Sequence, residues 1–321
     1  MSKTHYFYEG FLSAIQKKIP HRVTLVNTIT DLLAIDKDAV YRRLRGDVNF
    51  TFVEMAVIAK KLGVSLDGIA GIETVQSMAT MINLTKHVNP TEVDYQMFDE
   101  YIDFLKFIRD DPETLLMEST NSIPHAIFFD YEYLTRFHIF SWDQASSYGH
   151  GLPFHQISIP ERMWKLQKEC CEFTRHIKST VYVLDRMIFQ RLVENIRFFE
   201  SVRFITREEL SEMKKEMLAI VNNLEKSAVT GRYEDTGNEI SIYISDIPIE
   251  TNYNCIKTKN VYLSQFRVFV LGYNVSFNEE IYNEVSHWIE ATQRMSTLIS
   301  FSGEKIRTDY FNAQRKLIDS L

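Results

Sequence analysis

Apolar residues recur at helical spacing through most of the chain, and the pattern is clearest between residues 24 and 70. Two apolar stripes follow each other there, with members three or four positions apart: Val26, Ile29 and Leu33, then Val40 and Leu44. Residues at these spacings share one face of a helix. Asp36 stands where it can cap the second helix, and Gly46 is a helix stop. The pattern predicts two short helices joined by a tight corner.

The second of these helices carries its polar side chains opposite its apolar edge: Lys37, Asp38, Tyr41, Arg42 and Arg45. A longer helix is predicted next, from a wide apolar stripe: Phe52, Met55, Ala56, Ile58, Ala59 and Leu62. Gly63 closes this helix, and Ser65 can cap a short one after it. Residues 6–19 form the first predicted helix, which Pro20 ends, so five helices are expected in this part of the chain.

The order of these elements resembles the Cro and phage-repressor family of helix-turn-helix proteins, of the xenobiotic-response-element type. The ending Ala59-Lys-Lys-Leu-Gly-Val-Ser-Leu-Asp67 is the most specific part of the match. The chain departs from the family at Ala34, where members often carry glycine, and at Arg43, where many carry leucine. The overall plan is also similar to bacterial regulators that join such a head to a long C-terminal region.

The resemblance implies that the second helix of the pair lies in the major groove of double-stranded DNA. By resemblance, the side chains that read base edges are Lys37, Asp38 and Arg42. Tyr41 and Arg45 are expected closer to phosphate, and Arg43 faces either the first helices or a phosphate. Physically, Arg42 can bind guanine with two hydrogen bonds, and Asp38 can accept one from a cytosine amino group. The alternative interpretation is a solvated face of an ordinary helical bundle.

Beyond residue 90 the apolar spacing predicts further helices, over residues 94–109, 160–179, 181–204 and 207–230. Residues 126–142 are dense in aromatic side chains, and their spacing fits either a helix packed on both sides or a strand followed by a helix. Residues 146–158 contain Gly149, Gly151 and Pro153 and are predicted to be a loop.

The spacing of apolar residues changes after residue 238. Residues 239–245 alternate between apolar and polar side chains at period two. Two further β-rich runs follow, over residues 253–257 and 261–272, with Lys259-Asn260 where a hairpin turn is expected. A small antiparallel sheet of about three strands is predicted here. Asn278 can cap a final helical pair, over residues 281–299 and 303–321. The last helix has five core candidates: Ile306, Tyr310, Phe311, Ala313 and Leu317.

These elements predict a mainly α protein with a small antiparallel sheet. Residues 1–71 would form a five-helix helix-turn-helix head that binds DNA. Residues 72–90 would form a linker helix with an apolar stripe of Val75, Met78, Ala79 and Ile82. This stripe would pack either on a second copy in a dimer or on the next domain. Residues 91–321 would form a larger α+β domain for sensing or dimerisation.

Charge is unevenly distributed between these parts. Residues 1–71 contain ten basic and seven acidic residues, and the remainder contains 26 and 36. A mildly basic head on an acidic body fits a DNA reader joined to a domain that avoids DNA. No apolar run approaches the roughly 18 residues that span a bilayer, and the start lacks a signal sequence. A cytoplasmic location without membrane contact is expected.

The chemistry-bearing motifs of enzymes are missing from the sequence. It contains no phosphate-binding loop, no dinucleotide-binding glycine pattern, no nucleophile elbow and no His-Glu-x-x-His. Three cysteines without Cys-x-x-Cys spacing argue against a disulfide framework and a zinc site. We therefore expect no enzyme activity, cofactor or metal. The alternative of an enzyme with an unrecognised site in residues 90–321 stays open.

The favoured function is a sequence-specific transcription regulator that binds an operator as a homodimer. Two-fold pairing would space two recognition helices by about 34 Å. The aromatic-rich body, in a chain with 13% aromatic residues, could enclose an unknown small-molecule effector, although such residues are more often simply core. The alternative is a protein-interaction or assembly module that does not bind DNA.

Overall fold

The computed structural model describes residues 3–64, 66–69, 82–83, 89–146, 151–268 and 272–321. Contacts divide the chain into two compact units, Met1–Ala79 and Thr80–Leu321. Unit 1 contains five described helices: α1 (Lys3–Lys18), α2 (Arg22–Leu33), α3 (Lys37–Leu44), α4 (Phe52–Leu62) and α5 (Leu66–Ile69).

One hydrophobic core joins the helices of unit 1. Its most deeply buried members come from α1, α2, α3 and α4: Phe11, Ile15, Leu25, Val26, Ile29, Val40 and Ile58. Phe50, between α3 and α4, adds its ring to this core and meets the ring of Phe11 edge to face at 6.0 Å. The helical spacing of the sequence therefore predicted the inner faces of α2 and α3 correctly.

The ends of these helices follow local backbone chemistry. Ala34 ends α2 in the left-handed conformation, at φ 54°, which glycine adopts with less strain. Gly46 and Gly63 follow α3 and α4 with φ of 82° and 62°. Asp36 occupies the N-cap of α3, but its side chain makes no capping hydrogen bond, contrary to the prediction. The predicted cap Ser65 lies outside the described residues.

The predicted apolar stripe of α4 is wrong at its first position. Phe52 is 74% exposed, because the helix turns Ile58 and Ala59 toward the core and Phe52 away from it. The start of α4 is fixed by a capping box. Thr51 Oγ1 accepts from the backbone N–H of Glu54, and Glu54 Oε2 accepts from the N–H of Thr51.

Unit 2 contains eight described α-helices and one 3₁₀ turn at Phe154–Gln156: α6 (Glu92–Ile108), α7 (His125–Phe128), α8 (Glu132–Ser146), α9 (Glu161–Arg175), α10 (Ile188–Ser201), α11 (Arg207–Thr230), α12 (Glu279–Arg294) and α13 (Glu304–Asp319). The aromatic-dense stretch is thus helical. Asn278 caps α12 as predicted, since its Oδ1 accepts from the N–H groups of Glu280 and Ile281.

The described strands of unit 2 form one sheet: β1 (Ile82–Asn83), β2 (Leu115–Thr120), β3 (Ser179–Asp185), β4 (Glu239–Ser245), β5 (Tyr253–Lys257), β6 (Tyr262–Val268), β7 (Gly272–Ser276) and β8 (Ser296–Leu298). Their spatial order is β1-β7-β6-β5-β2-β3-β4-β8. β3 is parallel to both of its neighbours, β2 and β4. All other pairings in the sheet are antiparallel. The predicted small antiparallel sheet is therefore wrong: the sheet is mixed and larger.

The prediction missed β2 and β3 because both strands are covered on both faces. Leu116 and Tyr182 point to the side of α6 and of the helices α7 to α11, whereas Met117 and Val183 point to α12. A strand buried on both faces lacks the alternation of apolar and polar residues that marks a half-buried strand. Where the sheet is antiparallel the prediction holds: β5 and β6 form a hairpin around Lys259-Asn260.

Four further predictions in unit 2 need correction. Residues 181–204 are not one helix, because β3 occupies the first of them and α10 begins only at Ile188. Residues 296–298 leave the predicted helix and pair with β4. Ile306 is 52% exposed rather than core. In the predicted linker helix, Ile82 and Asn83 pair with β7 as a strand, and most of the remainder lies outside the described residues.

Candidate nucleic-acid interface

α3 is anchored by one edge and presents the other to solvent. Val40 is completely buried in the core of unit 1, and Tyr41 and Leu44 pack partly against that core. The helix has eight residues, which corresponds to about 12 Å of length. This is a short element whose position depends on packing rather than on its own helix propensity.

Four of the six predicted contact residues are exposed: Lys37, Asp38, Arg42 and Arg45. Asp38 and Arg42 are four positions apart, so their side chains stand on the same side of α3. Arg45, at the C-cap, forms an ion pair of 2.9 Å with Asp47, and both side chains remain about half exposed. Tyr41 is half-buried beside the core.

Arg43 differs from the other predicted contact residues. Its Nη2 lies 2.9 Å from Oε1 of Glu54 on α4, and the two side chains are only 19% and 18% exposed. The guanidinium carbon also stands 5.8 Å from the centre of the Phe50 ring. Arg43 thus takes neither of the two predicted orientations, toward the first helices or toward a phosphate, because Glu54 draws its side chain inward to α4. Arg43 therefore holds α3 against α4 and does not belong to the exposed face.

Tyr8 on α1 fixes the end of α3. Its hydroxyl donates to the backbone carbonyl of Arg43 at 2.9 Å and accepts from the backbone N–H of Phe50 at 3.1 Å. Neither Tyr8 nor Glu54 is predicted as part of this site from the sequence, because neither lies near α3 in the chain. The available signal for Tyr8 was a polar tip on an otherwise apolar face of α1, and for Glu54 it was the capping-box spacing Thr51-Phe-Val-Glu54.

The pKa values around this junction follow from burial and hydrogen bonding. Burial by itself raises the pKa of the Glu54 carboxyl, but hydrogen bonds from the Thr51 backbone and the Arg43 guanidinium outweigh it and lower that pKa. Burial raises the pKa of the Tyr8 hydroxyl, so this group remains protonated and able to donate. The junction is thus a charged and hydrogen-bonded support behind the exposed face.

The N-terminal end of α2 offers a second polar surface of unit 1. Arg22 is the first residue of α2 and is exposed, and no side chain caps the helix from His21. Backbone N–H groups at an uncapped helix start can bind an oxygen of an anion. Together with α3, this end provides groups suited to both base edges and phosphates.

Comparisons with family models, with curated proteins and with solved structures find no match to this chain. Of the helices among the described residues, none is long and apolar enough to cross a membrane. The described residues also contain no group of three His, Cys, Asp or Glu side chains that could hold a metal ion.

Proposed function

We propose that this chain is a sequence-specific DNA-binding transcription regulator and that unit 1 is its helix-turn-helix head. One observation carries the proposal: α3 buries Val40 while it exposes Lys37, Asp38, Arg42 and Arg45. A helix held by its apolar edge, with a polar edge free along its length, has the form needed to enter a major groove. Such a regulator would act in the cytoplasm.

Each exposed side chain has a role that follows from its chemistry. Arg42 would donate two hydrogen bonds to O6 and N7 of a guanine, and Asp38 would accept from N4 of a cytosine. Lys37, at the start of α3, would donate to a base edge in the neighbouring step. Tyr41 and Arg45 would contact phosphates. Arg45 would then exchange Asp47 for a phosphate oxygen, which carries a similar negative charge.

A homodimer follows from the size of α3. A helix of about 12 Å spans only a few base pairs, so one copy gives little sequence discrimination. Two copies related by two-fold symmetry would place their α3 helices about 34 Å apart on one face of the DNA. The operator would then be an inverted repeat with half-sites one helical turn apart.

In vitro selection of bound sequences from a random DNA library tests the proposal with the full chain. We expect enrichment of an inverted repeat, and a loss of about 1–3 kcal/mol, roughly a 5-fold to 150-fold loss of affinity, for Arg42→Ala on the selected operator. Lys60→Ala is the matched control, because it removes one positive charge from α4 and leaves α3 unchanged. The proposal is wrong if no sequence is enriched, or if both variants bind like the original protein.

A protein-interaction module is the second candidate, and one observation favours it. Phe52 and Val53 on α4 are 74% and 69% exposed, and adjacent exposed apolar side chains are typical of protein contact surfaces. The same selection separates the two functions. An interaction module enriches no DNA sequence, and its partner binding would fall in the double variant Phe52→Ser, Val53→Ser but not in Arg42→Ala.

A further inference from the structure

Three polar side chains form a row across one face of the sheet in unit 2. Glu118 on β2 lies directly opposite Asn254 on β5, and Asn254 lies opposite Gln265 on β6. Their side chains are 7%, 8% and 7% exposed. Residues opposite each other in a β-ladder project to the same face about 5 Å apart. The three side chains are therefore neighbours in one buried polar row.

The row lacks the partners that buried polar groups normally have. Oδ1 of Asn254 is buried without a hydrogen-bond partner among the described residues. Within the same residues, the side chains of Glu118 and Gln265 make no hydrogen bond and no salt bridge. Leaving such groups unpaired costs about 1–3 kcal/mol each, and more for a charge. A row of three such groups calls for an external partner.

The row faces a cavity of about 150 Å³. Most of the cavity wall is apolar, and it comes from α6, α7 and the sheet: Met97, Phe98, Ala126, Phe129, Leu116 and Val275. An apolar protein cavity of about 150 Å³ can hold a benzene molecule. The space therefore suits a molecule with one ring or a short aliphatic chain, whose polar end meets the row.

The charge of the row determines which polar group of a ligand it can bind. Burial raises the pKa of Glu118 to about 7, although the positive charge of Arg267 acts in the opposite direction. The guanidinium of Arg267 donates to Ser122 Oγ through Nη1, and its positive charge acts on the Glu118 carboxylate without a salt bridge between the two side chains among the described residues. Among the described residues, the other titratable side chains around the cavity and the row include Tyr101 from α6, His125 from α7, Cys170 from α9, Tyr182 from β3 and Tyr233, whose hydroxyl donates to that of Tyr182.

We propose that this cavity binds a small primary amine with an apolar body, and that its ammonium group donates to Glu118 and to Oδ1 of Asn254. The carboxylate supplies the opposite charge, and the unpaired amide oxygen supplies a second acceptor. The rings of Phe98 and Phe129 add favourable contact with a cation or with an aromatic body. Binding itself is independent of DNA; only its use as an effector site rests on the proposed function.

Calorimetric titration of the full chain with benzylamine at pH 7.5, without DNA, tests this site. Benzyl alcohol is the matched neutral probe, because it has nearly the same size and shape but carries no charge. We expect saturable binding of one benzylamine per chain and at least tenfold weaker binding of benzyl alcohol. Equal affinity for the two probes overturns the proposal, because the cavity would then not recognise the ammonium group. No saturable binding of benzylamine also overturns it and indicates a cavity that holds water only.

Three variants test whether benzylamine binds at the row of Glu118, Asn254 and Gln265. Glu118→Gln should lower benzylamine affinity at least tenfold, since it removes the charge and keeps the shape. Glu216→Gln is the control: Glu216 is also partly buried with a raised pKa, but it bonds the N–H groups of Tyr133 and Leu134 outside the cavity. Ala126→Phe fills the cavity with the carboxylate intact and should abolish binding, which keeps the test decisive if Glu118→Gln does not fold. Unchanged benzylamine affinity in Glu118→Gln or Ala126→Phe refutes the site.

Discussion

The guanidinium Nη2 of Arg43 lies 2.9 Å from Oε1 of Glu54, and this ion pair joins the exposed helix α3 to α4. The same carboxylate accepts from the N–H of Thr51 through its other oxygen, at 2.7 Å. One residue therefore caps α4 and holds α3 in place. The orientation of the proposed reading face depends on this shared carboxylate.

Glu54→Gln should weaken this support while it keeps a capping acceptor for Thr51. Loss of the charge leaves Arg43 partly buried without its partner, and we expect unit 1 to lose about 1–2 kcal/mol of stability. Amide hydrogen exchange over residues 37–62 measures the loss. Asp47→Asn is the control, because it breaks the exposed pair with Arg45, and exposed pairs contribute about 0–1 kcal/mol. Equal protection in Glu54→Gln and the original protein would show that the pair contributes nothing.

The Glu54 pair also predicts how acid affects unit 1. The pKa of Glu54 is lowered below 4.5 in the folded state, so the stability it contributes is present above pH 4.5 and disappears as the pH falls through the folded value. Hydrogen exchange of α3 should therefore accelerate on acidification below pH 4.5 more in the original protein than in Glu54→Gln, after correction for the intrinsic exchange rate. Parallel pH profiles in the two proteins contradict this explanation.

Arg45 and Arg42 should affect DNA binding in different ways if the proposed roles are right. Removing a phosphate contact weakens binding to all sequences and lowers the slope of log affinity against log salt by about one, whereas removing a base contact relaxes sequence preference. Arg45→Ala should therefore change the salt slope, and Arg42→Ala the discrimination at one base pair. Binding titrations at several salt concentrations, on the operator and on single-base variants, measure both. The assignment of roles is reversed if the two patterns are exchanged.

Ala34 is strained in the left-handed conformation that ends α2. Ala34→Gly should stabilise unit 1 by about 0.5–1 kcal/mol, because relief of the strain outweighs the additional chain entropy of glycine. Ala39→Gly, inside α3, is the matched control and should destabilise it by about 1 kcal/mol, since the backbone there is helical. Amide hydrogen exchange of unit 1 measures both changes in stability, which should have opposite signs. Destabilisation by both substitutions would show that the turn is not strained.

Glu118 should make the stability of unit 2 depend on pH in the opposite sense to Glu54. Its pKa is raised from 4.5 to about 7, so its unfavourable contribution is absent below pH 4.5 and complete above pH 7. The shift corresponds to about 3 kcal/mol. We expect Glu118→Gln to be more stable than the original protein at pH 8, by up to that amount, and similar at pH 4. Urea denaturation followed by tryptophan fluorescence measures this, since Trp142, Trp164 and Trp288 all lie in unit 2. A constant difference at both pH values would contradict it.

The sequence by itself determined the elements that depend on near neighbours in the chain. The helices of unit 1, the capping of α12 by Asn278 and the β5–β6 hairpin follow from spacing, capping and turn chemistry within a few residues. Only the tertiary structure decided the parallel pairing of β2, β3 and β4, because the three strands are far apart in the chain and β2 and β3 carry no alternation. It also turned Arg43 inward to Glu54 and aligned Glu118 with Asn254 and Gln265. Local spacing does not determine which way the Arg43 side chain points or which residues of two strands lie opposite each other, because packing between distant residues and the register of the strands decide both.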